Sequence, residues 1–230
     1  GEEAVGIAES SSQPWSLAAA HFGLGGVYLR NGELDRAVAV LERGVRICKS
    51  SDVALWFHMI ASCLGYAHAL CGRSDAALPL LEEAVEQAGT IRVSARYALA
   101  LSWLSEAYLI ADRTKEATEL ATRALHLSRN HNERGHEAWI RRLMAEIAAR
   151  RDPANIDEAI DHYYQATTLA GELAMRPLVA HCHFGLGRLY RRMGQRMQAE
   201  EHLGRSCSMF AAMDMKSWSE LARAEQRLAG

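Results

Sequence analysis

The 230-residue chain is 49% hydrophobic and 23% charged, with a formal net charge of −2, four prolines and 17 glycines. That balance fits an ordinary water-soluble globular chain and gives no global pull toward nucleic acid or an acidic membrane. No run approaches 18 apolar residues, which excludes a membrane-spanning helix; the odd set Cys48, Cys63, Cys71, Cys182 and Cys207 holds no C-x-x-C pair and reads as reduced thiols of a cytoplasmic protein.

Residues 1–13 read as a flexible lead-in or the frayed tail of a preceding helix. Gly1 in place of a starting Met reads as a tag scar on a piece of something longer, and no apolar segment follows the acidic start, so no signal peptide is expected. Residues 14–230 read as one domain. Pro14 sits in the first turn of the first helix, where its missing N–H costs nothing. That helix carries His21-Phe22-Gly23-Leu24-Gly25-Gly26-Val27-Tyr28-Leu29-Arg30 and stops at Asn31-Gly32. A second helix follows with Leu34, Ala37, Val38, Leu41 and Val45 at helical spacing. Ser51 and Asp52 are read as the cap of the next helix.

The pattern then returns. A second pair has Gly65-Tyr66, a stop at Cys71-Gly72, a cap at Ser74, then Ala77 and Leu81. A third has Trp103-Leu104-Ser105 and Tyr108, a cap at Thr114, then Ala117 and Ala121. The fourth is irregular: a helix near Glu133 to Arg150, a turn lengthened through 151–155, and a helix with Ala159, Tyr163 and Ala166. The fifth begins at Pro177 and repeats the opening phrase at His183 to Gly194, with eight of twelve residues identical and a separation of 162 residues, four periods of about 40. A last polar helix, Lys216 to Leu228, reads as the cap a terminal repeat needs. Strand signals are absent. The expected fold is all-α, five helix hairpins plus a capping helix. In it the recurring glycines let the first helix of a pair (A) approach the second (B), with Ala37, Ala77, Ala117, Ala159 and Ala199 facing them and Leu41, Leu81 and Leu203 filling space between repeats.

The order L-G-x-x-Y, a turn, Ala nine residues after the Tyr and Leu four later resembles the tetratricopeptide repeat (TPR) over about residues 18–212. The period of about 40 exceeds that family's 34, and its proline near the repeat end is missing, so longer helices are implied. The resemblance implies a right-handed TPR-like α-solenoid and a role in protein binding. A more specific likeness lies at Ala174-Met175-Arg176-Pro177-Leu178-Val179-Ala180-His181-Cys182-His183-Phe184-Gly185-Leu186-Gly187-Arg188-Leu189-Tyr190, with Glu133 to Trp139 and Gln198 to Leu203. These segments resemble the C-terminal TPR region of bacterial proteins that also carry a class III adenylate/guanylate cyclase domain and an AAA- or STAND-type ATPase domain. That likeness implies a multidomain signalling parent.

Catalytic signatures are missing. There is no G-x-x-x-x-G-K-[ST] loop and no G-x-S-x-G elbow. His181, Cys182 and His183 diverge by about 100° per residue on a helix, so they do not converge on one metal. No enzyme activity, cofactor or metal is expected. By position in the resembled family, the concave groove is lined by Phe22, Arg30, Tyr66, Glu106, Arg141, Arg142, His181, Phe184, Arg188, Arg191 and Arg192. Its last two repeats are basic, and nearly all basic residues are arginine, which suits bidentate anion recognition. The expected partner is a protein or acidic peptide, a phosphate-bearing ligand, or an acidic face of another domain of the parent, held by arginine forks. Nucleic acid is not expected. The alternatives are a small-molecule effector sensor and a homodimer scaffold pairing through the last helix.

Overall fold

The structure, a computed structural model, describes residues 1–11, 13–90, 96–151 and 156–229. The described residues form twelve helices and no strand. They are α1 (Glu2–Ser11), α2 (Pro14–Asn31), α3 (Leu34–Ser50), α4 (Ala54–Leu70), α5 (Ser74–Thr90), α6 (Tyr97–Ile110), α7 (Thr114–Asn130), α8 (Arg134–Arg151), α9 (Ile156–Glu172), α10 (Arg176–Arg192), α11 (Arg196–Ala212) and α12 (Lys216–Ala229). No described helix is long and apolar enough to cross a membrane. The expected lengthened turn falls on 152–155, outside the described residues.

The chain divides into two compact units, Gly1–Leu120 and Ala121–Gly230. In the first, α2 pairs with α3 and α4 with α5. In the second, α8 pairs with α9 and α10 with α11, and α12 lies on α11. The expected lead-in is instead a helix. α1 packs on α2, Glu2 and Glu9 pair with Arg36 and Arg43 at 2.7 Å, and the Tyr28 hydroxyl donates to Glu2 at 2.7 Å.

Turn chemistry sets the helix ends. Pro14 and Pro177 occupy the first turns of α2 and α10. Gly32 (φ 77°) terminates α2, its N–H donating to the Leu29 carbonyl while Glu33 N–H reaches Tyr28. Such a left-handed residue satisfies the last carbonyls of a helix. Gly72 and Gly194 repeat the device, but Asp52, Asp112, Asn132, Ala174 and Asp214 also take positive φ at the corresponding turns. The expected caps are therefore displaced by a residue or so. Asp52 closes the turn rather than capping α4, whose N-cap is Val53 without a side-chain bond; Ser74 and Thr114 are the first residues of their helices.

The hairpins close on a glycine–leucine contact. A Cβ on Gly25, Gly65 or Gly187 would come within 2.5 Å, 2.6 Å and 2.6 Å of Leu41, Leu81 and Leu203 Cγ respectively. Each leucine lies sixteen residues after its glycine and is fully buried. The leucines thus fill the hairpin itself rather than only the space between repeats. The third repeat has Ser105 at the glycine position, and its hydroxyl donates to the Ala117 carbonyl at 2.7 Å. Ala37, Ala77, Ala117, Ala159 and Ala199 are all fully buried. One buried cluster serves the first unit, and two serve the second, centred on Tyr163, Cys182 and Tyr190 and on Phe184, Leu203 and Phe210.

Candidate functional site

The eleven groove candidates fall into two sets, one in each unit. In the first unit Phe22 leans on Trp56 at 5.5 Å between ring centres, and Trp56 meets the half-exposed Trp15 at 5.8 Å. Tyr66 stacks flat on Trp103 at 5.2 Å and donates to Glu106 at 3.0 Å. Arg96, a left-handed residue before α6, places its guanidinium 5.2 Å from the Phe22 ring and 5.8 Å from Trp103. Burial lowers the pKa of Arg30, and repulsion from Arg96 adds to that. Phe22, Arg30, Tyr66 and Glu106 are therefore neighbours in one aromatic and charged face. Arg96 and Trp103 were missing from the sequence expectation. The spacing of 40 that maps Trp103 onto Gly23 was the signal for the tryptophan; Arg96 has no counterpart in the repeat.

In the second unit the candidates do not form one open basic surface. Arg142 is buried at 7% exposure, 3.0 Å from Glu146 and stacked at 5.5 Å on Trp139. Arg141 pairs with Glu137 at 2.9 Å. Burial works to raise the Glu137 carboxyl, but the hydrogen bonds from Arg129 and Arg141 outweigh it and hold it below the usual range. His181 sits in an aromatic box, 5.5 Å from Trp139, 5.0 Å from Phe210 and 4.5 Å from Trp218. Phe184 is buried beneath Arg188, whose guanidinium lies 5.6 Å from its ring. Arg188 and Arg191 both reach Glu225 of α12, at 3.4 Å and 2.8 Å. Arg192 is exposed and makes no ion pair among the described residues.

Glu225 is the residue the sequence reading missed. Shifted by 40 positions, α12 aligns with α10, so Glu225 stands at the Gly185 position and Arg227 at the Gly187 position. α12 thus carries an arginine where α2, α4 and α10 carry the glycine that admits a leucine.

The histidine pair expected to diverge does so. His181 enters the aromatic box, while His183 Nδ1 meets His202 Nδ1 across the hairpin at 2.9 Å. Burial, with His202 beside it, pushes His183 down to about 4. Burial pushes the Cys182 thiol up to about 12, which leaves it unreactive. Among the described residues no group of three or more His, Cys, Asp or Glu is placed to hold a metal ion.

Comparisons with known proteins agree with this geometry. The sequence model of the tetratricopeptide repeat matches residues 16–52 and 65–132. The Protein KINESIN LIGHT CHAIN-RELATED 1 of Arabidopsis thaliana is 26% identical over 213 residues, 90% of this chain. The chain spans 35% of that relative's length. Among solved structures, the putative kinesin light chain TPR-like repeats of Podosopora anserina superpose with a TM-score of 0.57 at 21% identity, covering 87% of this chain and 98% of that one. The STAND protein with a TPR sensor from Pyrococcus horikoshii gives 0.62 at 15% identity, covering 92% of this chain and 32% of that one. BtubC from P. vanneervenii gives 0.61 at 17% identity, covering 93% and 87%. Residues 16–52 and 65–132 are similar to tetratricopeptide repeats, and the fold of the chain is that of the all-α TPR-like solenoids.

Proposed function

We propose that this chain is a non-catalytic protein-interaction module whose A-helix faces hold an acidic segment, supplied by a separate protein or by another domain of a longer parent. The observation that carries the reading is Arg188 and Arg192: both are exposed on α10, yet packing of the hairpin asks for neither. Guanidinium forks bind carboxylates bidentately; Arg192 makes no ion pair among the described residues, and Arg188 holds Glu225 only at 3.4 Å, so both guanidinium groups can turn to a partner. The parent we infer is a multidomain signalling ATPase, with a cyclase domain as the resemblance at 174–190 implies; the fold likeness to a STAND sensor supports the first half of that inference.

An array of acidic peptides, probed with the wild-type chain and with Arg188→Glu/Arg192→Glu, tests the binding reading. The wild type should select acidic sequences and the double variant should lose them by tenfold or more while keeping its helicity. Equal capture by both proteins would discard the assignment.

A further inference from the structure

The C-terminal ends of α8 and α10 enclose a cleft with room of about 40 Å³, lined by Glu146, Arg150, Tyr163, Gly185, Arg188 and Arg192. Its floor is Tyr163 of α9, only 3% exposed. The Tyr163 hydroxyl lies against Gly185, where any Cβ would collide with it. That hydroxyl makes no hydrogen bond among the described residues and lines the cleft, where it can donate to a ligand. Burial raises its pKa well above the ordinary value, so it remains a donor at neutral pH.

The charge balance selects the ligand. Three guanidinium groups line the cleft, while the Glu146 carboxylate is already matched by Arg142 at 3.0 Å. Arginine near a helix C-terminus answers the helix dipole, but two termini supply only about half a negative charge each. With Glu225 matched by Arg191 at 2.8 Å, Arg188 and Arg192 leave an excess of about one positive charge over those termini. The Arg188 contact to Glu225 is long, at 3.4 Å, and its side chain is 51% exposed, so it can turn toward the cleft. Arginine forks above and a phenol donor below present hydrogen bonds to several oxygens of one small anion.

We propose that this cleft binds the phosphoryl group of a phosphomonoester, with Arg188 and Arg192 clamping its oxygens and the Tyr163 hydroxyl donating to a third. The cleft lies on the A-helix face already assigned to partner binding, so the inference deepens that reading.

Isothermal titration at low ionic strength with inorganic phosphate, acetate, and a phosphoserine peptide beside its unphosphorylated twin tests it. Phosphate should bind, acetate at least tenfold more weakly. Tyr163→Phe, which removes only the hydroxyl, and Arg192→Gln should each weaken phosphate about tenfold, the size of a charge-assisted hydrogen bond; Arg196→Gln on α11 should change nothing. Arg192→Gln carries the test if Tyr163→Phe lowers the melting temperature. Selection of the phosphoserine peptide over its twin assigns the group to a protein; equal affinity for phosphate and peptide assigns it to a free phosphomonoester. Absence of phosphate uptake, equal binding of acetate, or an equal loss in Arg196→Gln overturns the site. Phosphate uptake without capture of acidic peptides leaves the cleft standing and removes the protein-partner reading; the reverse removes the cleft alone.

Discussion

The first and fifth repeats carry the same phrase, and the structure gives the shared letters different work. Gly25 and Gly187 behave alike, each admitting a leucine from its B helix. Gly23 and Gly185 do not. Nothing lies within 4 Å of a Cβ built on Gly23, whereas one on Gly185 would come within 2.5 Å of the Tyr163 ring. His21 donates its Nδ1–H back to the Leu17 carbonyl at 2.8 Å inside its own helix, while His183 reaches across to His202. The positions that differ diverge further: Gly26 and Leu29 in the first copy become Arg188 and Arg191, which share Glu225. Sequence identity within a repeat reports the hairpin; what lies against the other side of the A helix is set by the neighbouring repeat.

Matched alanine substitutions break the comparison most sharply. Gly185→Ala should cost about 2 kcal/mol through overpacking against Tyr163. Gly23→Ala has open space and should stabilise by about 0.5–1 kcal/mol, the helix-propensity difference. Urea melts of the two variants should move in opposite directions; movement in the same direction would mean that the neighbouring repeat does not distinguish them.

Protonation comes next in size. His183 titrates near 4 in the fold against an ordinary 6.5, so the unfolded chain takes up its proton first. Its contribution is complete above pH 6.5 and is lost as pH falls through about 4. His202 is lowered by burial in the same way, and Glu201 and Arg205 act on both histidines. His183→Phe should flatten the acid-side slope of stability by about one proton, measured by urea melts at several pH values.

Glu225→Gln sharpens the charge difference. Removing the shared carboxylate should raise affinity for acidic peptides several-fold by releasing Arg188 and Arg191, and should loosen α12 by about 1 kcal/mol, as for a partly buried ion pair. Unchanged peptide affinity would show that Glu225 does not compete for the arginines. The smallest effect belongs to the turns. Ala174 holds φ 53° where Gly32 and Gly194 stand at the ends of other helices. Ala174→Gly should raise stability by about 1 kcal/mol by relieving the left-handed strain, read as a rise of a few degrees in melting temperature.

Much of the fold was legible because hairpin packing is local and periodic. Glycine, alanine and leucine recur at fixed offsets, and the Gly25–Leu41, Gly65–Leu81 and Gly187–Leu203 contacts each lie within one hairpin. Helix ends were legible where glycine marks them, at Gly32, Gly72 and Gly194, and less so where Asp52, Ala174 or Asp214 takes the same conformation. The candidate face was only half legible. Position along an A helix predicts which side chains point outward, but not that Arg142 is buried against Trp139 or that Glu225 of α12 engages two of the arginines. Those pairings depend on the adjacent repeat, and a sequence read one repeat at a time does not contain them. Arg96 precedes its helix in a conformation that no periodic signal announces.

The central claim is that Arg188 and Arg192 of the fifth repeat serve a partner rather than the hairpin. Titrating a fluorescent acidic peptide into the wild type and into Arg188→Ala/Arg192→Ala tests it directly. The account predicts at least a tenfold loss of affinity with a helical signal and urea midpoint close to wild type. Full retention of affinity, or loss that merely follows unfolding of the last repeat, would contradict it.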